Sequence, residues 1–303
     1  MQKNLEKEPL VSVIMNCFNG ESFLKESLES AINQTYQNWE LILWDNRSTD
    51  KSAEIFKKYN DKRFQYYYAN EHTTLTKARN LAIERTKGEF IAFLDTDDLW
   101  DINKLEVQMY YFRNPEVGLV FSNYWLLKKN KNKKKIYSKK ILPRGSIYYE
   151  LIKNYNIGTV TAIIKKNYYL KLKRKFDERF SIIGDFDLFS RLSKECTSES
   201  VQKPLAYCRL HGKNLTNLKK EKEFEEFEIW LRENKNNLSK LNIKNFQKRI
   251  DYIKFVSYKI EGKYKKCINV LFKSEISLLN IKNLFIFFTP TILLKKFLWY
   301  YQD

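Results

Sequence analysis

Short apolar runs alternate with segments of helical periodicity through about the first hundred residues, and this alternation restricts the fold more than any other feature of the sequence. The apolar runs cover residues 11–18, 39–45, 64–69 and 89–95, and they are rich in β-branched and aromatic residues. Between them, apolar residues recur at helical spacing, as in Leu24, Leu28, Ala31 and Ile32. Strands that alternate with helices are typical of a mostly parallel sheet flanked by helices. We therefore predict an α/β fold of this kind.

The length of 303 residues allows one large α/β domain with a smaller appendage, because such domains reach roughly 250 residues before they split. The composition changes near Lys219, where amphipathic segments rich in Lys, Glu and aromatic residues begin. We predict a main domain over residues 1–218 and a basic helical extension over residues 219–303. A Lys/Asn run at residues 128–140 is expected to be a solvated hairpin tip.

The chain is strongly basic, with 55 Lys and Arg against 36 Asp and Glu and a net charge of +19. Such a charge suits nucleic acid, an anionic membrane or phosphorylated substrates. Because the sequence contains no zinc-finger, KH or RRM signature, we expect no nucleic-acid partner. The excess is mostly Lys beside abundant Asn and Ile, which points to coding bias as a partial cause.

The cysteines and the N-terminal sequence predict a cytoplasmic location. Cys17, Cys196, Cys208 and Cys267 form no C-x-x-C pair and no zinc-type spacing, so neither a disulfide scaffold nor a structural metal site is expected. The N-terminal segment carries charges where a signal peptide needs an apolar core, and no stretch reaches the ~18 apolar residues of a spanning helix.

Three of the predicted strands end in polar residues. These are Asn16 and Asn19 after the first run, Asp45 after the second, and Asp95, Asp97 and Asp98 after the fourth. In open α/β sheets, ligands bind beyond the carboxyl ends of the strands. The three carboxylates within four positions would repel one another, and a divalent cation such as Mg²⁺ or Mn²⁺ would remove that cost. A structural alternative is an acidic helix N-terminus that complements the helix dipole.

Four motifs in fixed order resemble the family 2 inverting glycosyltransferases of the GT-A fold. They are VSVIMNCFNGESFLKESLESAINQTYQNWELILWDNRSTDKS, KARNLAIERTKGEFIAFLDTDDLW, GDFDLFSRL and YCRLHGKN, and they span roughly residues 9–215. The resemblance is strongest to bacterial enzymes that build surface polysaccharide or lipopolysaccharide. It implies a Rossmann-like GT-A domain with a nucleotide-sugar half at about residues 9–115 and an acceptor half at about residues 116–218. It also implies sugar transfer from a nucleotide-diphosphate donor, expected to be a UDP-sugar, to a saccharide or lipid-linked saccharide acceptor.

The resemblance assigns the nucleotide pocket to residues that match the family motifs. It implies that Asp45 contacts the donor base, that Asn16 and Asn19 flank the same pocket, and that Arg79 lies near the base and diphosphate. A guanidinium fork suits both contacts of Arg79. The alternative for Arg79 is a solvated arginine on a helix face, paired with Glu84.

The same resemblance assigns the metal site. Asp95 and Asp97 match the family's DxD motif, which implies that Asp95 lies near the ribose, that Asp97 binds Mn²⁺ or Mg²⁺ and that Asp98 supports them. His211 resembles a late histidine that completes metal or diphosphate binding in this fold, and neutral imidazole is a normal ligand. A structural role is the alternative for a lone histidine; His72 is left unassigned.

The catalytic base is expected to be an isolated carboxylate on the acceptor side, and the resemblance implies that it is Asp185. One carboxylate suffices for inversion, because it takes the acceptor proton while the oxygen attacks the anomeric carbon. Asp187 is the rival, and helix N-capping near Gly184 is the structural alternative for both.

The chain departs from the family pattern at three places. Asn16-Cys17 replaces the usual Pro-Thr, Asn46-Arg47 replaces the usual acidic-Gly turn, and Gly184 replaces the usual Glu. The preference for donor base and sugar is therefore left open.

Two other functions compete with sugar transfer, and the C-terminal tail has the composition of a membrane anchor. A nucleotidyltransferase would need a Gly-rich basic phosphate loop, which residues 16–22 do not provide. A catalytically degenerate membrane scaffold would not need Asp95, Asp97, Asp185 and His211. The apolar tail at residues 284–303, with Lys295 and Lys296, suits an interfacial anchor on anionic lipid at the inner face of the membrane; packing onto protein is the alternative.

Overall fold

The computed structural model describes residues 8–128, 134–212, 214, 220–273, 285–291, 293 and 294. The strands are β1 (Val11–Cys17), β2 (Trp39–Asp45), β3 (Phe64–Tyr68), β4 (Phe90–Phe93), β5 (Leu99–Trp100), β6 (Val117–Lys128), β7 (Lys134–Ile136), β8 (Ile163–Lys165) and β9 (Thr197–Leu210). The α-helices are α1 (Leu24–Ile32), α2 (Ser52–Lys57), α3 (Leu75–Glu84), α4 (Lys104–Met109), α5 (Tyr148–Lys153), α6 (Lys166–Lys171), α7 (Gly184–Leu192), α8 (Lys220–Asn234), α9 (Lys240–Ile260) and α10 (Tyr264–Lys273). Short 3₁₀ turns occupy Tyr110–Arg113, Thr159–Thr161 and Lys235–Asn237.

The chain divides into two compact units. The first contains Met1–Leu151 and Tyr155–Arg209, and the second contains Ile152–Asn154 and Leu210–Asp303. The predicted domain boundary at residues 218 and 219 lies outside the described residues. None of the helices in the described part of the chain combines the length and the apolar character that crossing a bilayer requires.

One mixed sheet forms the frame of the first unit, with strand order β3-β2-β1-β4-β8-β6-β9-β5 and β7 beside β6. Strands β3, β2, β1 and β4 are parallel to one another. The pairs β4–β8, β8–β6, β6–β7 and β9–β5 are antiparallel. The parallel block is the part that the strand–helix alternation predicts, and the α/β class is confirmed.

The central parallel strands are buried along their whole length. Every residue of β1 and β2 is buried, because helices cover both faces of a parallel sheet and leave no polar side. On one face, a single apolar cluster joins the sheet residues Ile14 and Phe93 to Ala78 and Ala82 of α3 and to Leu188 of α7. This packing fixes α3 and α7 over the same face of the sheet.

The parallel register brings the carboxyl ends of the strands to one edge. Cys17 at the end of β1 lies opposite Asp45 at the end of β2, and Asp45 lies opposite Tyr68 at the end of β3. Ile14 lies opposite Phe93, two residues before Asp95. The loops that follow these strands therefore meet at the edge where the sequence predicts ligand binding.

The second unit is built from helices that pack through aromatic side chains. Phe227 and Trp230 of α8 contact Phe246 of α9, with ring centroids 5.6 and 5.1 Å apart. A second cluster joins Phe255 and Val256 of α9 to Cys267 of α10 and to Ile286 and Leu294. The amphipathic helices predicted after Lys219 are present in this unit.

Lys104 carries a fully buried amino group. Its side chain is fully buried, and Nζ has no hydrogen-bond partner among the described residues, with the ring of Trp100 4.3 Å away. Burial holds the pKa of Lys104 well below its usual value. Between the folded and unfolded values the unfolded chain binds more protons, so stability rises with pH across that interval.

We expect Lys104→Met to raise the melting temperature at pH 7 by a few degrees, because an unpaired buried polar group costs about 1–3 kcal/mol. The variant should also lose the gain in stability that the wild type shows between neutral and alkaline pH. Lys166→Met is the matched control: Lys166 Nζ donates to the carbonyl of Thr86 at 2.7 Å, so its loss should lower the melting temperature. Thermal unfolding at pH 7 and pH 10 measures both, and a lower melting temperature for Lys104→Met would contradict the assignment.

Candidate active site

Reciprocal hydrogen bonds connect the loops that follow β1 and β2. The backbone N–H of Asn19 donates to Ser48 Oγ at 3.0 Å, and Asn19 Oδ1 accepts from the backbone N–H of Thr49 at 2.8 Å. Asn19 has a φ of +54°, a left-handed conformation that asparagine tolerates better than most residues. Asn19 therefore shapes the predicted nucleotide pocket by joining its two loops.

Asp45 is fully buried, and both carboxylate oxygens have protein partners. Oδ1 accepts from the backbone N–H of Ser48 at 2.7 Å, and Oδ2 accepts from the hydroxyl of Tyr66 at 2.7 Å. Burial, followed by the hydrogen bond to Asp45 and the charge of Asp45, raises the pKa of Tyr66, so this hydroxyl remains a donor. The contact of Asp45 with a donor base stays a prediction.

Asn16 carries a buried amide whose hydrogen bonds are not made. Neither its Nδ2 nor its Oδ1 finds a partner in the described part of the chain, and the side chain is 9% exposed. Asn16 lies opposite Trp44, whose Nε1 also has no partner among the described residues. Because an unsatisfied buried amide costs about 1–3 kcal/mol, this position favours completion by a polar ligand or water.

Asn46-Arg47 replaces the acidic-Gly turn that is usual in the family, and local contacts explain how the turn still forms. Arg47 has a φ of +73°, the left-handed region in which glycine is usual. Its guanidinium lies 5.0 Å from the ring centroid of Tyr68, and this cation–π contact offsets part of the strain. Asn46 fixes the loop after β3, because its Oδ1 accepts from the backbone N–H of Thr73 at 3.1 Å.

Arg79 is not a solvated surface arginine, since its side chain is 6% exposed. One terminal nitrogen lies 3.1 Å from Oδ1 and 3.2 Å from Oδ2 of Asp95, and the guanidinium lies 5.6 Å from the ring centroid of Phe176. The site therefore holds a buried cation against the first acid of the DxD motif.

The acidic loop concentrates negative charge at the edge of the sheet. Burial raises the pKa of Asp95, and the charges of Asp97 and Asp185 act in the same direction against Arg79. Burial, with the charges of Asp97 and Asp95, holds the pKa of Asp98 well above its usual value. A bound cation would relieve the mutual repulsion of these carboxylates.

Two residues outside the motif hold the acidic loop in place. The backbone N–H of Arg209 donates to Asp98 Oδ1 at 2.9 Å, and the guanidinium of Arg209 donates to the carbonyl of Asp97 at 3.0 Å. The hydroxyl of Ser27 lies 2.6 Å from the carbonyl oxygen of Asp98. The carboxylates are thus presented on a fixed backbone.

The donor chemistry of this loop fits a hard divalent ion. Carboxylate oxygens suit Mg²⁺ and Mn²⁺, which retain waters and bind substrate phosphates rather than a complete protein cage. Within the described residues, no group of three or more His, Cys, Asp or Glu side chains forms a ready metal site. Asp95, with a side chain 33% exposed, remains accessible to ligand. His211 lies in the second unit, where its backbone N–H donates to Asn214 Oδ1 at 2.6 Å, and its metal role stays a prediction.

Asp185 lies in the first turn of α7, and its charge reaches Asp95. Its Oδ2 accepts from the hydroxyl of Tyr155 at 3.0 Å and from the hydroxyl of Thr159 at 2.9 Å. The N-cap residue of α7 is Ile183, so Asp185 is not the N-cap. The structure thus places Arg79, Asp95 and Asp185 in one cluster of interacting charges.

Asp187, the rival base, is committed to an ion pair. Its side chain is fully buried, and Oδ2 lies 2.7 Å from a terminal nitrogen of Arg191. Oδ1 lies 3.7 Å from Arg174. The replacement of the family's usual Glu by Gly184 has a steric explanation, because a Cβ at this position would overlap the methyl group of Thr76.

Sequence reasoning missed the residues that support the site, namely Tyr155, Thr159, Ser27 and Arg209. Ser27 and Arg209 lie inside the quoted motifs, whereas Tyr155 and Thr159 lie outside them. Each of the four acts through a contact that spans 26 or more positions in the chain. Only the tertiary arrangement reveals them.

Comparisons of the sequence with known proteins point to one family. The sequence profile described as glycosyl transferase family 2 matches residues 12–191. The Escherichia coli protein named UDP-Glc:alpha-D-GlcNAc-diphosphoundecaprenol beta-1,3-glucosyltransferase WfgD is 32% identical over 212 residues, which are 65% of this chain and 82% of the relative.

Solved structures show the same fold at low identity. Staphylococcus aureus TarS 1–349 in complex with UDP-GlcNAc superimposes with a TM-score of 0.66 at 17% identity, over 86% of this chain and 79% of that chain. The mannosyltransferase PcManGT from Pyrobaculum calidifontis, in complex with GDP-Man and Mn²⁺, superimposes with a TM-score of 0.62 at 14% identity, over 93% and 80%. The predicted GT-A fold is confirmed by this likeness. With the matched profile covering more than half of its length, the chain belongs to glycosyl transferase family 2.

Proposed function

We propose that the chain transfers a sugar, with inversion, from a nucleotide-diphosphate donor to an acceptor hydroxyl during synthesis of a bacterial surface glycan. The donor is a UDP-sugar and the acceptor is a lipid-linked saccharide. Two similarities support these choices: WfgD is named for a UDP-Glc donor and a diphosphoundecaprenol-linked acceptor, and TarS is solved with UDP-GlcNAc.

The observation that carries the proposal is that the charge of Asp185 acts on Asp95, which is paired with Arg79 at 3.1 Å. In this mechanism Asp185 takes the proton of the acceptor hydroxyl while that oxygen attacks the anomeric carbon. Arg79 stabilises the negative charge that develops on the departing diphosphate. A divalent ion held by Asp97, with His211 as the second predicted ligand, would add Lewis-acid stabilisation of the same charge.

The proposal is tested with a panel of UDP-, GDP- and CMP-sugars and an α-GlcNAc-diphospholipid acceptor, with and without Mn²⁺. We expect turnover of a UDP-sugar in the presence of Mn²⁺, and a product whose anomeric configuration by NMR is opposite to that of the donor. A nucleotidyltransferase would instead consume a nucleoside triphosphate and release pyrophosphate, and a scaffold would turn over no donor. Either outcome would overturn the proposal.

The second unit carries exposed aromatic side chains and lysines, and this combination favours binding to an anionic membrane surface at the inner face of the cell membrane. Phe272, Phe285 and Phe288 are 86%, 76% and 78% exposed. Lys265 and Lys266 on α10 are exposed as well. Aromatic side chains beside lysines are the usual composition of an interfacial anchor. In the predicted anchor at residues 284–303, Lys295 and Lys296 lie outside the described residues.

We expect the triple variant Phe272→Ser, Phe285→Ser, Phe288→Ser to bind vesicles of phosphatidylglycerol and phosphatidylcholine at least about ten-fold more weakly, because each buried Phe contributes ~1.5–3 kcal/mol. Ile141→Ser, which removes an 87% exposed residue of the first unit, is the control and should bind as the wild type. Vesicle co-sedimentation measures both. Equal binding of wild type and triple variant would refute the anchor and leave the transfer reaction untouched.

A further inference from the structure

The two oxygens of the Asp185 carboxylate are not equivalent. Oδ2 accepts two side-chain hydrogen bonds, from Tyr155 at 3.0 Å and from Thr159 at 2.9 Å. In the described part of the chain, the only donor to Oδ1 is the backbone N–H of Phe186, at 2.8 Å. Because a carboxylate oxygen offers about two lone-pair positions, Oδ2 is saturated and Oδ1 keeps one position open.

Tyr155 can only donate to Asp185. Burial, followed by the negative charge of Asp185 and the hydrogen bond between them, holds the pKa of Tyr155 well above its usual value. The backbone of Tyr155 is fixed as well, since its carbonyl accepts from the hydroxyl of Tyr137 at 3.3 Å. Its ring meets that of Phe186 edge to face, with centroids 5.4 Å apart.

Thr159 is fixed by the 3₁₀ turn that it begins. The backbone N–H and the hydroxyl of Thr161 both donate to the carbonyl of Gly158, at 2.8 and 2.7 Å. Gly158 packs so closely against Tyr124 that a Cβ would lie 2.9 Å from its ring. Neither donor to Oδ2 can therefore move away without disturbing packed structure.

We propose that Tyr155 and Thr159 are positioning residues that saturate Oδ2 of Asp185, so that Oδ1 is the atom that accepts the proton of the acceptor hydroxyl. This inference rests on the proposed function. The acceptor O–H bond breaks and its proton goes to Oδ1, while the acceptor oxygen forms a bond to the anomeric carbon. The bond from that carbon to the diphosphate oxygen breaks, and the diphosphate leaves with the electron pair.

The other charged groups near Asp185 have partners of their own. Asp95 is paired with Arg79, and Asp187 on the same helix is paired with Arg191. Tyr155 and Thr159 are thus the side chains that determine the orientation of the Asp185 carboxylate.

The test compares Tyr155→Phe, Thr159→Val and Thr159→Ser in the full chain. Each of the first two should lower kcat about ten-fold with an unchanged KM for the donor, because each removes one hydrogen bond to a charged group. Thr159→Ser restores the hydroxyl and should recover most of the turnover that Thr159→Val loses. Tyr148→Phe is the matched control, since the hydroxyl of Tyr148 has no hydrogen-bond partner in the described part of the chain. Melting temperatures verify that each variant folds.

The same substitutions are then made in an Asp185→Asn background. We expect Tyr155→Phe to cause no further loss there, because the base that it positions is absent. Unchanged kcat in Tyr155→Phe and Thr159→Val, or an equal loss in both backgrounds, would overturn the inference. Full turnover by Asp185→Asn alone would instead overturn the base assigned under the proposed function, so the two failures are distinguishable.

Discussion

Asp185→Asn is expected to lower kcat for sugar transfer by about 10²- to 10⁴-fold while donor binding stays nearly intact. An amide cannot take the acceptor proton, yet its oxygen can still accept the hydrogen bonds of Tyr155 and Thr159, and the bond that is lost is the one from the backbone N–H of Phe186. Initial rates at saturating donor measure kcat, and calorimetric titration of the UDP-sugar measures binding.

Asp187→Asn is the matched control, because it makes the same chemical change two residues along α7. This substitution breaks the buried pair with Arg191, so its main effect should be a lower melting temperature. If Asp185→Asn kept wild-type turnover, the base would have to be sought elsewhere.

Asp97→Ala is expected to lower Mn²⁺-dependent turnover about 10³-fold, because stabilisation of charge by a metal amounts to several kcal/mol. The variant should also lose the rise in melting temperature that Mn²⁺ gives the wild type with UDP, since bound ligands stabilise the folded state by mass action. Calorimetry of Mn²⁺ binding supplies a second readout that does not depend on activity.

Asp61→Ala is the control for this experiment. Asp61 lies before the start of β3, at the opposite edge of the sheet from Asp97, and it pairs with Arg63 at 2.7 Å. Its replacement should leave the response to Mn²⁺ unchanged. A wild type whose turnover survives complete chelation would contradict a metal at Asp97.

The parallel half of the fold could be predicted because its strands are continuous apolar runs. The predicted run at residues 39–45 matches β2 (Trp39–Asp45), and the first run differs from β1 by one residue. The antiparallel half of the sheet was harder to predict from the sequence. Strand β9 (Thr197–Leu210) was not predicted, because it is largely polar, contains Pro204 and depends on its neighbours in the sheet for pairing.

The apolar segment at residues 159–166 forms a strand only in part. The β-branched residues of Thr159–Thr161 favour a strand, but they form a 3₁₀ turn closed onto the carbonyl of Gly158. Only Ile163–Lys165 pairs with the sheet, as β8. The strand propensity of these residues is outweighed by the close contact between Gly158 and Tyr124, which cannot be read from the sequence.

The family resemblance favoured Asp185 as the base, with Asp187 as the rival, and no feature of the sequence itself gives the physical difference between the two acids. Asp185 and Asp187 are two residues apart, yet one faces Tyr155 and Thr159 while the other faces Arg191. Arg191 lies on α7 itself, whereas Tyr155 and Thr159 come from another segment and are not encoded in the local motif. Like the roles of the other site residues, the roles of Asp45, Asn16 and His211 remain predictions, because the ligands that they would contact are not part of the chain.

The hydrogen bonds between the loops after β1 and β2 have a thermodynamic consequence. Besides the Asn19 contacts, the backbone N–H of Glu21 donates to Asp50 at 2.9 Å, and Glu21 in turn accepts from the backbone N–H of Lys51 at 3.0 Å. Because hydrogen bonds already hold these two loops together, the loops lose little conformational freedom when the nucleotide binds. Affinity for the donor should therefore follow the enthalpy of its direct contacts, with only a small entropic penalty for ordering the protein.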